Sequence, residues 1–283
     1  MWPRARIWRR SSFDRFAPPP FPPAVLGSGT MPAAGNSGMS KTPFRGAAGA
    51  FGRDDLNWTP SRVAQTLSLS EQIAGNVGNA IIRGDYQPGQ RVQEQELADQ
   101  FHVSRGPVRE ALRLLERDGL VQIHARRGAH VTQLGRDEVS DLFEVRIVLI
   151  GLAAKIIAEN RNPDVVREIR RGVEQLGRLV KDRAGTDSYV GAIYRLNLVL
   201  AEGSGNPYLG DMIFSLAHRT LRYARLGLST EARRQQSVRT WRQVIAAIER
   251  GDADAARAQA EKLVRASRDM AVSLLPAPTS KPD

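Results

Sequence analysis

The 283-residue sequence contains no cysteine. Disulfide frameworks, thiolate metal centres and cysteine nucleophiles are therefore excluded. Histidine is scarce too, with four in the chain, so an imidazole-rich metal site has few donors to draw on. No run of about 18 uninterrupted apolar residues occurs, and a membrane-spanning helix needs about that length. The N-terminal stretch MWPRARIWRRSSFDRFAPPPFPPAVLG is basic, but prolines break its apolar part and leave no continuous segment of about 7–15 residues for a secretory signal. A cytoplasmic chain without a membrane partner is expected. Acidic residues are outnumbered, 30 against 41 lysines and arginines, for a net charge of +11.

That excess is spread out. Residues 1–60 carry 8 basic and 3 acidic side chains, residues 61–133 carry 9 and 8, and residues 134–283 carry 24 and 19. Global charge singles out no domain, so a nucleic-acid argument must rest on where individual arginines fall along a helix. The length allows roughly two domains. Residues 1–62 mix Pro, Gly, Ala and Ser without a sustained period and are expected to be a disordered arm. Met31 and Met39 stand inside it, so an over-extended reading frame and a functional tail both stay open.

From residue 63 to 134 the pattern changes. Ser68 and Glu71 have capping-box spacing, and Ile73, Val77 and Ile81 recur on one helical face until Gly84. Gln87-Pro88-Gly89 makes a turn, Leu97, Ala98 and Phe101 give a short second helix, and Ser104 is placed to cap a third over residues 105–118. On that third helix Val108, Ala111, Leu112 and Leu115 gather on one side, while Arg105, Arg109, Arg113 and Arg117 gather on another. Residues 120–124 and 129–132 read as two short strands joined by Ala125-Arg126-Arg127-Gly128. Three helices and a two-stranded wing with a basic tip make a winged helix-turn-helix. Residues 135–275 show no strand alternation and divide into six or seven helices at Asn162-Pro163, Ala184-Gly185, Asn206-Pro207 and Gly251, an all-α second domain. The fold class is thus mainly α, and residues 276–283 form a loose, Pro-rich tail.

The runs Gly84-Asp85-Tyr86-Gln87-Pro88-Gly89, Val103-Ser104-Arg105-Gly106-Pro107-Val108-Arg109-Glu110-Ala111-Leu112 and Leu115-Glu116-Arg117-Asp118-Gly119-Leu120-Val121 strongly resemble the DNA-binding domain of the GntR family. The helices after them resemble the FCD ligand-binding domain of its FadR subfamily, on Phe143-Glu144-Val145-Arg146, Leu200-Ala201-Glu202-Gly203-Ser204-Gly205-Asn206-Pro207 and Ile245-Ala246-Ala247-Ile248-Glu249-Arg250-Gly251-Asp252. The resemblance implies a homodimeric transcription factor that reads double-stranded, palindromic operator DNA. Its DNA contacts would be Arg105 and Arg109, with Gly106 admitting close approach and Arg127-Gly128 at the wing tip. Arginine suits the role because its planar fork grips guanine or phosphate in bidentate fashion. Arg113 and Arg117 lie farther from the end that would enter the groove, and Gln95 stands where some members have another arginine.

The resemblance also implies a divalent metal held by an aspartate and three histidines, yet the corresponding positions are Ile193, Asn197, Trp241 and Leu263. No metal and no other cofactor is expected. An effector site would fall to Arg146, Asn197, Arg219, Arg222, Arg225 and Trp241, with a small organic acid as the fitting ligand; the alternative is that most of these arginines are surface charges. The sequence has no phosphate-cradling glycine loop, GxSxG elbow or histidine–carboxylate constellation in its all-α part, so an enzyme is not expected. Besides a ligand-responsive repressor, an architectural DNA binder that has lost ligand control remains open.

Overall fold

Residues 67–276 are described by the computed structural model; the arm expected over residues 1–62 and, apart from its first residue, the tail expected over residues 276–283 lie outside the described residues. Helix α1 spans Leu69–Arg83. Ser68 Oγ accepts from the Glu71 amide at 3.2 Å and Glu71 Oε2 accepts from the Ser68 amide at 2.8 Å, which completes the capping box. The helix stops where Gly84 turns left-handed at φ 92°. Helix α2, Glu94–Phe101, is joined through His102 to α3, Arg105–Arg117. Val108, Ala111, Leu112 and Leu115 are all buried on α3, as the apolar spacing requires.

Two expectations need correction. Ser104 is the N-cap residue of α3 but makes no side-chain capping bond. An N-cap oxygen takes the second or third helical N–H, and here the third residue is Pro107, which has none. The sheet has three strands rather than two. Strands β1 (Arg91–Val92), β2 (Val121–His124) and β3 (Gly128–Val131) lie in the order β1-β3-β2, all antiparallel. The two residues of β1 are too short to show any alternation, and they are held in register by hydrogen bonds from Gly89 to Val131 and from Val131 to Gln90, each 2.9 Å.

Six further helices follow among the described residues: α4 (Arg136–Asn160), α5 (Pro163–Lys181), α6 (Thr186–Gly203), α7 (Pro207–Gly227), α8 (Glu231–Arg250) and α9 (Ala253–Leu274). Asn162, Asn206 and Asp252 cap α5, α7 and α9 with their side chains, and Pro163 and Pro207 occupy first-turn positions where a missing N–H costs little. Helix α4 runs along α9 and also touches α6, α7 and α8, so its buried side, including Phe143, Ile147, Ile150 and Ala154, forms the centre of this half. Between the halves, the Leu134 amide donates to the Tyr223 hydroxyl at 3.3 Å, and Gly119 lies against the Arg219 side chain.

Candidate functional site

The polar side of α3 is the first candidate. Arg105 and Arg109 are exposed on adjacent turns at its N-terminal end. Arg105 Nε donates to Gln95 Oε1 and Arg109 Nε to Glu94 Oε2, both at 2.8 Å, so the two guanidiniums are aimed by the first turn of α2. Gln95 in turn donates to Asp99 Oδ1 at 2.7 Å. A Cβ built on Gly106 would find only Ser104 Oγ, at 3.9 Å, and the backbone there is not left-handed. Nothing within the described chain demands glycine at that position. Arg126, Arg127 and Gly128 sit at the turn between β2 and β3, where Arg126 and Gly128 have φ of 64° and 81° and the arginines are exposed. Arg113 and Arg117 are exposed farther along α3, beside Glu110 at 3.8 Å and Asp118 at 3.5 Å.

The second candidate is a cavity of about 20 Å³ enclosed by α4, α6, α7, α8 and α9. Its walls include Phe143, Arg146, Ile193, Asn197, Ser237, Leu263 and Ser267. The space is about enough for one water. Arg146 is 7% exposed, its Nη1 donates to Thr220 Oγ1 at 2.9 Å, and its guanidinium lies 5.8 Å from the Phe143 ring centroid. No carboxylate among the described residues pairs with it. Burial lowers its pKa to about 10, so the group remains a cation at neutral pH. A buried cation satisfied by a hydroxyl and a ring face is an arrangement that an incoming anion would improve.

Three of the four positions where the resemblance calls for metal ligands, Ile193, Asn197 and Leu263, converge on this cavity. None is a histidine, aspartate or glutamate, and no group of three His, Asp or Glu able to hold a metal exists among the described residues. The other expected effector residues are placed elsewhere. Arg219 is exposed, and its side chain covers Gly119 across the junction. Arg222 does not line the cavity; burial lowers its pKa and Nη1 lacks a hydrogen-bond partner. Arg225 pairs with Asp187 at 2.5 Å. Trp241 is 1% exposed in the core without lining the cavity.

Sequence reasoning missed Thr220, Ser237, Ser267 and Arg233. Arg233 is 8% exposed, and its Nη2 lies 3.4 Å from the Oγ of cavity-lining Ser267; desolvation lowers its pKa. A signal did exist, since Arg233, Ser237 and Trp241 recur every fourth residue on the buried side of α8. Glu94, which holds Arg109 from 15 residues away, left no such signal.

Comparison with known proteins adds to these observations. Residues 69–131 match the bacterial regulatory proteins of the gntR family and residues 141–266 match the FCD domain. The chain is 28% identical over 142 residues to the uncharacterised HTH-type transcriptional regulator YdhC of Bacillus subtilis, which covers 50% of this chain and 63% of that one. It is 31% identical over 183 residues to an uncharacterised HTH-type transcriptional regulator from an unstable DNA locus of Streptomyces ambofaciens, covering 64% of this chain and 76% of that one. A GntR transcriptional regulator structure from Rhodococcus sp. RHA1 shares the fold, with a TM-score of 0.62, 19% identity, and coverage of 74% of this chain and 100% of that one. The chain thus spans less than two thirds of YdhC. No described helix is long and apolar enough to cross a membrane. With both domains matched in order, and with the Streptomyces relative aligned over most of its length, the chain belongs to the gntR family of bacterial regulatory proteins, a family of regulators and not of enzymes, and carries an FCD domain.

Proposed function

We propose that this chain is a ligand-responsive, DNA-binding transcriptional repressor whose operator affinity is set by a small organic acid. The observation that carries the reading is the contrast of cations: Arg105 and Arg109 exposed around a glycine that internal packing does not require, and Arg146 buried without a carboxylate. Arginines at the start of a helix that fits the major groove can read guanine edges, and a basic wing tip can follow the adjacent backbone. One such module reads one half-site, so a palindromic operator calls for two chains related by a two-fold axis. Exposed Val145, Val148 and Leu152 recur along α4 at helical spacing, and Tyr208 and Met212 are exposed on neighbouring α7; this apolar surface supports a second copy as the partner. A dimer seated on both half-sites blocks that stretch of DNA to polymerase.

The carboxylate of the effector would pair with Arg146, with Asn197 and the Ser237 and Ser267 hydroxyls as the remaining polar walls. A cavity of about 20 Å³ admits no metabolite as it stands, so the ligand would select a more open arrangement of the same helices. The same small volume favours a second reading, an architectural DNA binder without ligand control. Thermal-shift titration with a panel of mono- and dicarboxylic acids separates them. Stabilisation of the natural chain that is lost in Arg146→Ala supports the effector; no stabilisation by any acid, with operator binding intact, supports the architectural protein.

A further inference from the structure

A buried polar chain crosses from the DNA-binding half into the effector half. His218 on α7 is 1% exposed. Its Nδ1 lies 3.4 Å from Asp118 Oδ2 and its Nε2 lies 2.9 Å from the Tyr194 hydroxyl. Asp118 is the residue that ends α3, and its other carboxylate oxygen is 3.5 Å from Arg117 Nε. Tyr194 stands on α6 between Ile193 and Leu196, one turn from Asn197, and Ile193 and Asn197 both line the cavity. Phe214 meets the imidazole edge-on with ring centroids 4.4 Å apart. The following residues also meet: a Cβ on Gly119, which has φ of 73°, would come within 3.0 Å of the Arg219 side chain.

The Tyr194 hydroxyl and Nε2 are within hydrogen-bond distance, whereas Nδ1 and Asp118 Oδ2 approach to 3.4 Å as a buried electrostatic contact without completing a hydrogen bond. Groups from α3, α7 and α6 thereby share one histidine. We propose that His218 is a positioning residue that fixes the C-terminal end of α3 to the cavity wall, so that displacement of α6 reaches α3 through Tyr194, His218 and Asp118. The firm link is the 2.9 Å bond to Tyr194; the 3.4 Å approach of Nδ1 to Asp118 Oδ2 is an electrostatic contact in a buried setting, which weakens gradually with distance. A shift of α6 on cavity opening therefore breaks the Tyr194 bond, or carries His218 with it and changes its separation from Asp118 at the end of α3. The inference rests on the proposed roles of α3 and the cavity, but its test uses neither DNA nor effector, so its failure is distinguishable from theirs.

The test is amide hydrogen exchange on the full chain. Tyr194→Phe removes one oxygen and keeps the ring. Exchange over residues 114–120 should quicken about two- to tenfold, the factor set by the net worth of one hydrogen bond, while the wing beyond residue 122 is unchanged. Coupling is reciprocal, so Asp118→Asn should quicken exchange over residues 190–198 by a similar factor. The double variant should add little to the larger single effect, since both break one chain. Changes confined to the half that carries each substitution would overturn the proposal. If Tyr194→Phe loosens the whole effector half, Asp118→Asn, made from the opposite side, still decides.

Discussion

Arg109 and Arg146 carry the same charge in opposite settings. On α3 the guanidinium stands in water and is held by Glu94, an arrangement in which the ion pair is worth little and can be exchanged for another partner. On α4 the guanidinium is buried against Thr220 and Phe143, where solvation has been given up and only a hydroxyl replaces it. The first setting suits a partner that presents a charged surface from outside. The second suits a small anion that comes to the charge. The exposed Arg109 is thus exchangeable, and the buried Arg146 is poised.

The comparison breaks most readily at Arg109. Arg109→Ala should cost operator binding about 1–3 kcal/mol in each half-site while leaving helical content unchanged, as checked by gel-shift titration at fixed salt and circular dichroism. Next is Thr220→Val, which keeps the shape and removes the acceptor of Arg146 Nη1. It should lower stability to urea by about 1–3 kcal/mol, because a buried charged donor is left unsatisfied, and the added change Arg146→Met should recover most of that loss. Ser68→Ala should cost about 1 kcal/mol through the cap of α1. The same cap has a pH signature. Its hydrogen bonds hold the Glu71 carboxyl below its usual 4.5, so the contribution is complete above that pH and disappears as pH falls through the lowered value. Glu71→Gln and the natural chain should therefore converge in stability in acid. The smallest effect is expected for Arg113→Ala, on the same side of α3 but 73% exposed and 3.8 Å from Glu110, with a change in operator affinity below about 0.5 kcal/mol.

The two settings also differ in how far they were legible in the sequence. The course of α3 followed from local information: Val108, Ala111, Leu112 and Leu115 repeat at helical spacing, which forces Arg105 and Arg109 outward. The caps at Ser68, Asn162 and Asp252 are equally local. The cavity is made by side chains from five helices, and which arginines turn toward it depends on helix rotations that periodicity does not resolve. Arg146 could be placed because the motif around it is carried by the family; Arg219 and Arg222 could not, since α7 is buried on more than one side and its stripe is broad. Strand β1 escaped because two residues have no period.

The pairing of Arg109 with Glu94 also bears on how such a protein finds its sequence. If DNA engages Arg109 through Nε, as the proposed function allows, it must evict Glu94, and association by that route is a substitution and not a simple addition. The freed carboxylate recruits a cation from solution and cancels part of the ion release that phosphate contacts provide, so affinity should fall less steeply with salt than the number of contacts implies. Stretches that offer only phosphate compete with Glu94 on poor terms, whereas a guanine edge at the right place adds bonds the carboxylate cannot match. On that route, dwell times on wrong sequences would shorten, and a one-dimensional search along a chromosome would proceed in quicker steps.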